Sequence, residues 1–319
     1  MPVGRVLWGV KLIYYVFEPE SKKEYKCTIK GKVIETDFNI KNRSEVNPIV
    51  VGDLVEFEIV SDNEGVITKR LKRKSEYKRL KNNGREIQTL AANIDTIVIV
   101  DSIENPPLRP FFIDRCLFTA DYMKIEPLIV INKIDLLDDS SEIKEIYRMT
   151  KEAYLSLGYE IIETSILEKD SIEILKSRLK DKISSFTGRS GVGKSSLIKI
   201  IDPSLKDIKI GDISKKYNRG SHTTTFARMY PLNFGGMIID TPGIRELAVY
   251  IDKPEDVCRY FRDFNKFKEK CRYPDCQHID EPECSVIDAL KKGKIYDFRY
   301  ESYLRIRETV QKVVDSRIF

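Results

Sequence analysis

The chain has 319 residues, with 55 Lys and Arg against 50 Asp and Glu for a net charge of +5, and 41% hydrophobic and 33% charged residues. This is an ordinary soluble composition, long enough for two or three domains, and it excludes a fibrous, disordered or disulfide-scaffold protein. No apolar run approaches the ~20 residues that span a bilayer, and no charged n-region precedes an apolar stretch at the start. Neither membrane association nor a signal peptide is therefore expected, and the expected compartment is the cytoplasm.

Residues 1–72 predict an all-β module. Alternating stretches such as Tyr25–Ile29 and Asp53–Val60 are punctuated by Gly31, Pro48, Gly52 and Gly65, which suits a small barrel of about five strands, an OB-fold or an SH3-like barrel. From Lys69 to Arg85 nine basic residues face one acidic residue, Glu76. This basic linker, 69–85, is either a solvated connection or a contact for a phosphate backbone, where neutralised phosphates release counterions. The sequence of the β-module shows no ladder of aromatics for base stacking.

A second domain, residues 73–250, predicts strands alternating with helices. Thr96–Asp101 and Leu128–Asn132 are continuous β-branched runs, as in parallel strands buried on both faces. Helices are predicted over 111–123 and 141–157, and a strand over 159–163. This is a doubly wound α/β pattern.

Three motifs give that domain its chemistry. Gly188-Arg189-Ser190-Gly191-Val192-Gly193-Lys194-Ser195 is a complete phosphate loop, followed by Ser196 and a short helix. Its backbone N–H groups cradle phosphates, Lys194 reaches the β- and γ-phosphates, and the Ser195 hydroxyl ligates Mg²⁺. Asn132-Lys133-Ile134-Asp135 suits guanine, because a carboxylate at Asp135 accepts from N1–H and the exocyclic amine together. Asp240-Thr241-Pro242-Gly243 follows another strand; Asp240 would hold Mg²⁺ through water, and the Gly243 N–H would meet the γ-phosphate. Ser165 stands where a backbone turn would touch the base. Ordinary GTPases place the phosphate loop first, whereas here the guanine motif precedes it, so the order is circularly permuted. Permutation moves only the termini and leaves the site intact.

The last segment, 251–319, predicts helices over 254–264 and 296–314 around a cysteine cluster. Cys271, Cys276, His278 and Cys284 form C-x4-C-x-H-x5-C, a closed tetrahedral donor set for one structural Zn²⁺. Cys27, Cys116 and Cys258 have no such partners and read as buried apolar residues.

The motif order, with Gly220-Ser-His-Thr-Thr-Thr225 between phosphate loop and Asp240, the stretch Leu90–Asp95 and the metal module together resemble the RsgA (YjeQ) family of small-ribosomal-subunit GTPases. The resemblance implies an N-terminal OB-fold, a permuted P-loop GTPase domain and a zinc module. It further implies hydrolysis of GTP to GDP and phosphate stimulated by the small (30S) subunit in its late maturation. rRNA is the implied contact, and a monomer is expected. Ile244 occupies the place where Ras-like enzymes carry a water-orienting glutamine, so His222 is the expected water-positioning residue beside Lys194. Among Thr223–Thr225, Thr224 is the favoured Mg²⁺ ligand. Gly191 stands where some relatives carry a potassium-binding asparagine, so no potassium requirement is inferred.

Overall fold

The computed structural model describes residues 1–10, 12–29, 48–81, 86–137, 142–205, 227–240, 251 and 253–318. The N-terminal strands are β1 (Val3–Val10), β2 (Ile13–Glu18), β3 (Lys23–Ile29), β4 (Leu54–Ser61) and β5 (Glu64–Arg70). They pair in the order β1-β2-β3-β5-β4, and β4 returns to β1 to close the barrel, with β3 and β5 parallel. This is an OB-fold, which settles the choice left open against an SH3-like barrel. Alternation builds it: Val6, Tyr14, Val16, Tyr25, Cys27, Val55, Phe57 and Ile67 turn inward into one core.

The basic segment is more ordered than a linker. Its first residues end β5, and beyond them β6 (Glu76–Lys81) and β7 (Glu86–Ala92) form an antiparallel hairpin. Arg73 turns inward, its Nε and Nη2 donating to the two Asp53 carboxylate oxygens at 2.7 and 2.9 Å. With side-chain exposures of 4% and 0%, that pair bolts segment to barrel and is not a phosphate contact. Asn93, in the left-handed region at φ 55°, accepts the Lys74 N–H at 2.8 Å and donates to the Gly52 carbonyl at 2.9 Å. It thereby ties both pieces to the central domain.

That domain contains β8 (Thr96–Ser102), α1 (Pro110–Met123), β9 (Glu126–Asn132), α2 (Glu142–Ser156), β10 (Glu160–Thr164), α3 (Lys169–Leu179), β11 (Ile183–Gly188), α4 (Lys194–Ile201), β12 (Arg228–Pro231) and β13 (Met237–Asp240). The sheet order is β10-β9-β8-β11-β13-β12, parallel except for β12, which runs antiparallel to β13. Each central strand feeds two cores. Ile97 and Ile99 pack with α1 and α2, while Val98 and Val100 pack with α3 and α4. The barrel joins this sheet where β1 pairs with β12.

The C-terminal module opens with 3-10 turns at Pro254–Tyr260 and Arg262–Phe264, where the sequence predicts an α-helix. It continues through the cysteine cluster to α5 (Ser285–Lys291) and α6 (Asp297–Ile318). Phe118 of α1 enters this module's core. Beside it, Arg299 of α6 donates to Asp114 of α1 and to both oxygens of Asp263, sealed within the fold. No helix of the described residues is long and apolar enough to cross a membrane.

Candidate nucleotide and metal sites

Because β9, β8 and β11 lie side by side and parallel, their C-terminal ends bring three loops to one edge of the sheet, where open α/β sheets bind ligands. The phosphate loop joins β11 to α4. Gly193 caps α4 at φ +96°, and a Cβ there would lie 2.2 Å from Asn132 Nδ2; only glycine meets both demands. Asn132 is buried and uses the close approach, donating from Nδ2 to the Val192 carbonyl at 2.9 Å. Its Oδ1 accepts from Thr164 Oγ1 at 3.1 Å. One amide thus joins the ends of β9 and β10 to the phosphate loop.

Lys133 adopts a left-handed backbone, φ 60°, and its Nζ donates to the Gly191 carbonyl at 2.9 Å and to the Asn105 carbonyl. Ile134 and Asp135 follow in a single 3-10 turn that leaves Asp135 exposed. Lys194 Nζ donates to the Gly188 and Arg189 carbonyls, both at 2.7 Å. Ser190, Gly191, Ser195 and Ser196 are exposed around that ammonium. Ser165 is buried at the end of β10, where its hydroxyl accepts the Leu167 N–H at 3.1 Å and its carbonyl accepts the Glu168 N–H at 3.1 Å. Asp240 ends β13, the strand beside the phosphate-loop strand. A carboxylate on β13 and a hydroxyl at the head of α4 are the hard oxygen donors that Mg²⁺ takes. His222, Thr223, Thr224, Thr225, Gly243 and Ile244 lie outside the described residues.

One contact has no motif to announce it. Arg189 Nη2 donates to Asp101 Oδ1 at 2.6 Å and to the Pro107 carbonyl at 2.5 Å. Asp101 is fully enclosed and also accepts the backbone N–H groups of Ser102 and Arg109 at 3.0 and 3.1 Å. Burial raises its carboxyl above the usual aspartate range, and the Arg189 charge opposes the shift. The pair clamps the phosphate loop to the 102–109 connection.

The cysteine cluster is a second site. The donor atoms of Cys271, Cys276, His278 and Cys284 lie within 4.8 Å of one another. Cys271 Sγ stands 4.0 Å from Cys284 Sγ, and His278 Nδ1 stands 3.6 and 3.4 Å from those sulfurs. Tetrahedral Zn²⁺ with ordinary bond lengths places sulfurs about 3.8 Å apart and sulfur and nitrogen about 3.6 Å apart, so the set fits one four-coordinate metal. The turn is held from outside. Glu281 accepts the Gln277 and Ile279 N–H groups at 2.6 and 2.9 Å, Tyr300 donates to the His278 carbonyl at 2.7 Å, and Phe264 meets the imidazole edge-on. Cys27, Cys116 and Cys258 are buried elsewhere.

A family model described as RsgA GTPase matches residues 70–250, the stretch containing every nucleotide loop. The chain belongs to the RsgA GTPase family. Small ribosomal subunit biogenesis GTPase RsgA of Borreliella burgdorferi (strain ZS7) is 41% identical over 303 residues, covering 94% of each chain. The protein of the same name from Flavobacterium psychrophilum is 40% identical over 287 residues, 89% of this chain and 86% of its own. Among solved structures, YjeQ from Thermotoga maritima superposes with TM-score 0.77 at 32% identity, covering 97% of this chain and 98% of that one. YloQ, described as a circularly permuted GTPase, gives 0.74 at 27% identity over 98% and 95%. RsgA membership makes this chain an enzyme that hydrolyses GTP to GDP and phosphate, with permuted motifs, a barrel in front and a cysteine–histidine group behind that could hold a metal.

Proposed function

We propose that this GTPase binds the small (30S) ribosomal subunit and its rRNA in the cytoplasm, acts in late subunit maturation as a monomer, and is stimulated by the subunit. The observation that carries this is the identity of about 40% along almost the full length of relatives named for small-subunit biogenesis, flanking modules included. A basic recess of about 840 Å³ between the barrel's exit and the C-terminal end of α1 supports an RNA partner. Lys72, Lys74 and Lys124 are exposed at it, with Lys69, Arg70 and Lys78 alongside.

In the reaction, water attacks the γ-phosphate in line, and GDP leaves. Asp135 and Lys133 hold the guanine, and Asn132 fixes that loop against the phosphate loop. The phosphate-loop N–H groups and Lys194 stabilise charge on the transferring phosphoryl group. Mg²⁺ would be held by Ser195, Thr224 and, through water, Asp240, and would supply neutralisation of phosphate charge. Ile244 can neither donate nor accept a hydrogen bond, so unassisted turnover is slow and His222 orients the water once the subunit is engaged. The cysteine set would hold one structural Zn²⁺.

Co-sedimentation with isolated subunits tests the partner. The protein should pellet with the small subunit in a non-hydrolysable GTP analogue and release as salt rises. Equal binding to both subunits, or indifference to salt, contradicts it.

A further inference from the structure

A row of side chains crosses five strands in register. Asp240 of β13 pairs with Arg228 of β12, Arg228 with Trp8 of β1, Trp8 with Tyr15 of β2, and Tyr15 with Lys26 of β3. Directly paired residues project from the same face of a sheet. Trp8 and Tyr15 stack at 3.8 Å between ring centroids and 5° between planes, and the Arg228 guanidinium lies 5.0 Å over the indole and 5.4 Å over Tyr230. Beyond Tyr15 the register continues to Lys26 of β3 and then to Glu64 of β5, both exposed. Arg228 is exposed, Trp8 and Tyr15 are partly buried, and Leu12 and Ile13 stand out at the adjoining β1–β2 turn with exposures of 64% and 38%. Trp8 and Tyr15 come together only through the β1–β2 register, and Arg228 only through the β1–β12 pairing, so the row is not visible as a pattern in the sequence.

We propose that this row is a stacking site for an unpaired base of RNA, seated on the outer face of Tyr15, with Lys26 and Arg228 taking the flanking phosphates. Stacked aromatics bordered by cations are what single-stranded nucleic acid uses for sequence-tolerant binding, since every base offers a π-face and every nucleotide a phosphate. A double helix hides its bases and does not fit this surface. The proposal rests on the RNA partner argued above and adds where and how it is held. The row also ends on Asp240, so an occupied platform touches the strand pair that carries the Mg²⁺ aspartate.

The test uses the full chain and a short single-stranded RNA carrying a fluorescent end label and one 5-iodouridine. Anisotropy measures affinity, and photocrosslinking followed by peptide mass spectrometry locates the base. Expected are an adduct on Tyr15 or Trp8 and an affinity about tenfold lower in Tyr15→Leu, restored by Tyr15→Phe. Lys26→Gln should weaken binding and flatten its salt dependence. Wild-type affinity in Tyr15→Leu with adducts elsewhere overturns the stacking site and leaves the RNA partner standing. No binding by anisotropy in any variant or the wild type overturns the RNA partner itself, and the platform with it.

Discussion

Arg299→Met tests how the metal module is held to the nucleotide-binding body. Arg299 and its partners Asp114 and Asp263 have side-chain exposures of 2%, 0% and 4%, with contacts of 2.5 and 2.6 Å. At an effective dielectric of ~20 each contact is worth roughly 6 kcal/mol of Coulomb attraction, and desolvation costs several kcal/mol per ion. The assembled network is therefore near neutral, but removing the cation strands two carboxylates. Asp114 would keep only the Tyr154 and Ser302 hydroxyls, and the expected loss is about 3–5 kcal/mol at neutral pH. Burial already holds the Asp114 carboxyl above its ordinary value against the pull of Arg299. A carboxyl whose folded-state pKa exceeds the unfolded one contributes most below the unfolded value and loses that contribution as pH rises through the folded value. Losing Arg299 raises it further, so the deficit should be largest at neutral pH and narrow in mild acid. Hydrogen exchange of α6 and α1 amides reports the opening free energy of this seam without assuming that the whole chain unfolds in one step. Combining Arg299→Met with Asp114→Asn and Asp263→Asn should recover most of the loss. A deficit below about 1 kcal/mol, or one that does not change with pH, refutes the reasoning.

Gly193→Ala should cost at least tenfold in affinity for a fluorescent GTP analogue, since its Cβ would sit 2.2 Å from Asn132 Nδ2 at a left-handed φ. Asp135→Asn should reduce the preference for GTP over ATP by about two orders of magnitude in a competition assay, because the carboxylate alone accepts both guanine N–H groups. Arg189→Gln leaves Asp101 enclosed with only two backbone N–H partners; GTP affinity should fall about tenfold, and isothermal calorimetry measures it. Cys276→Ser or a strong chelator should remove about one zinc per chain by metal analysis and strip exchange protection from α5 and the 271–284 turn, leaving β8 to β11 protected.

The sequence shows most of the chemistry because the motifs are local. Ile97–Val100 and Leu128–Ile131 declare doubly buried strands by their unbroken β-branched runs, and the loops after them bear the guanine and phosphate motifs. Cys271 to Cys284 likewise sit within one turn. What escapes is either short, polar or distant. β12 has four residues, and α3 shows only Ile172, Leu175 and Leu179 on its buried side amid charges. The β6–β7 hairpin hides because basic residues on its strands mask the alternation. Asp101 and Arg189 lie 88 positions apart, Asp114 and Arg299 lie 185 apart, and nothing short-range marks either pair. The stacked Trp8 and Tyr15 similarly need the β1–β2 register before they meet. At 254–264 the apolar spacing suits an α-helix, yet two 3-10 turns form, broken at Phe261, whose ring stacks on Phe264 and meets Tyr303 edge-on in the module's core.

The most direct test of the account is GTP turnover by the purified protein, alone and with each isolated ribosomal subunit. Slow turnover alone, strong stimulation by the small subunit and none by the large one is the predicted result. Equal rates under all three conditions, with GTP still bound, would contradict it.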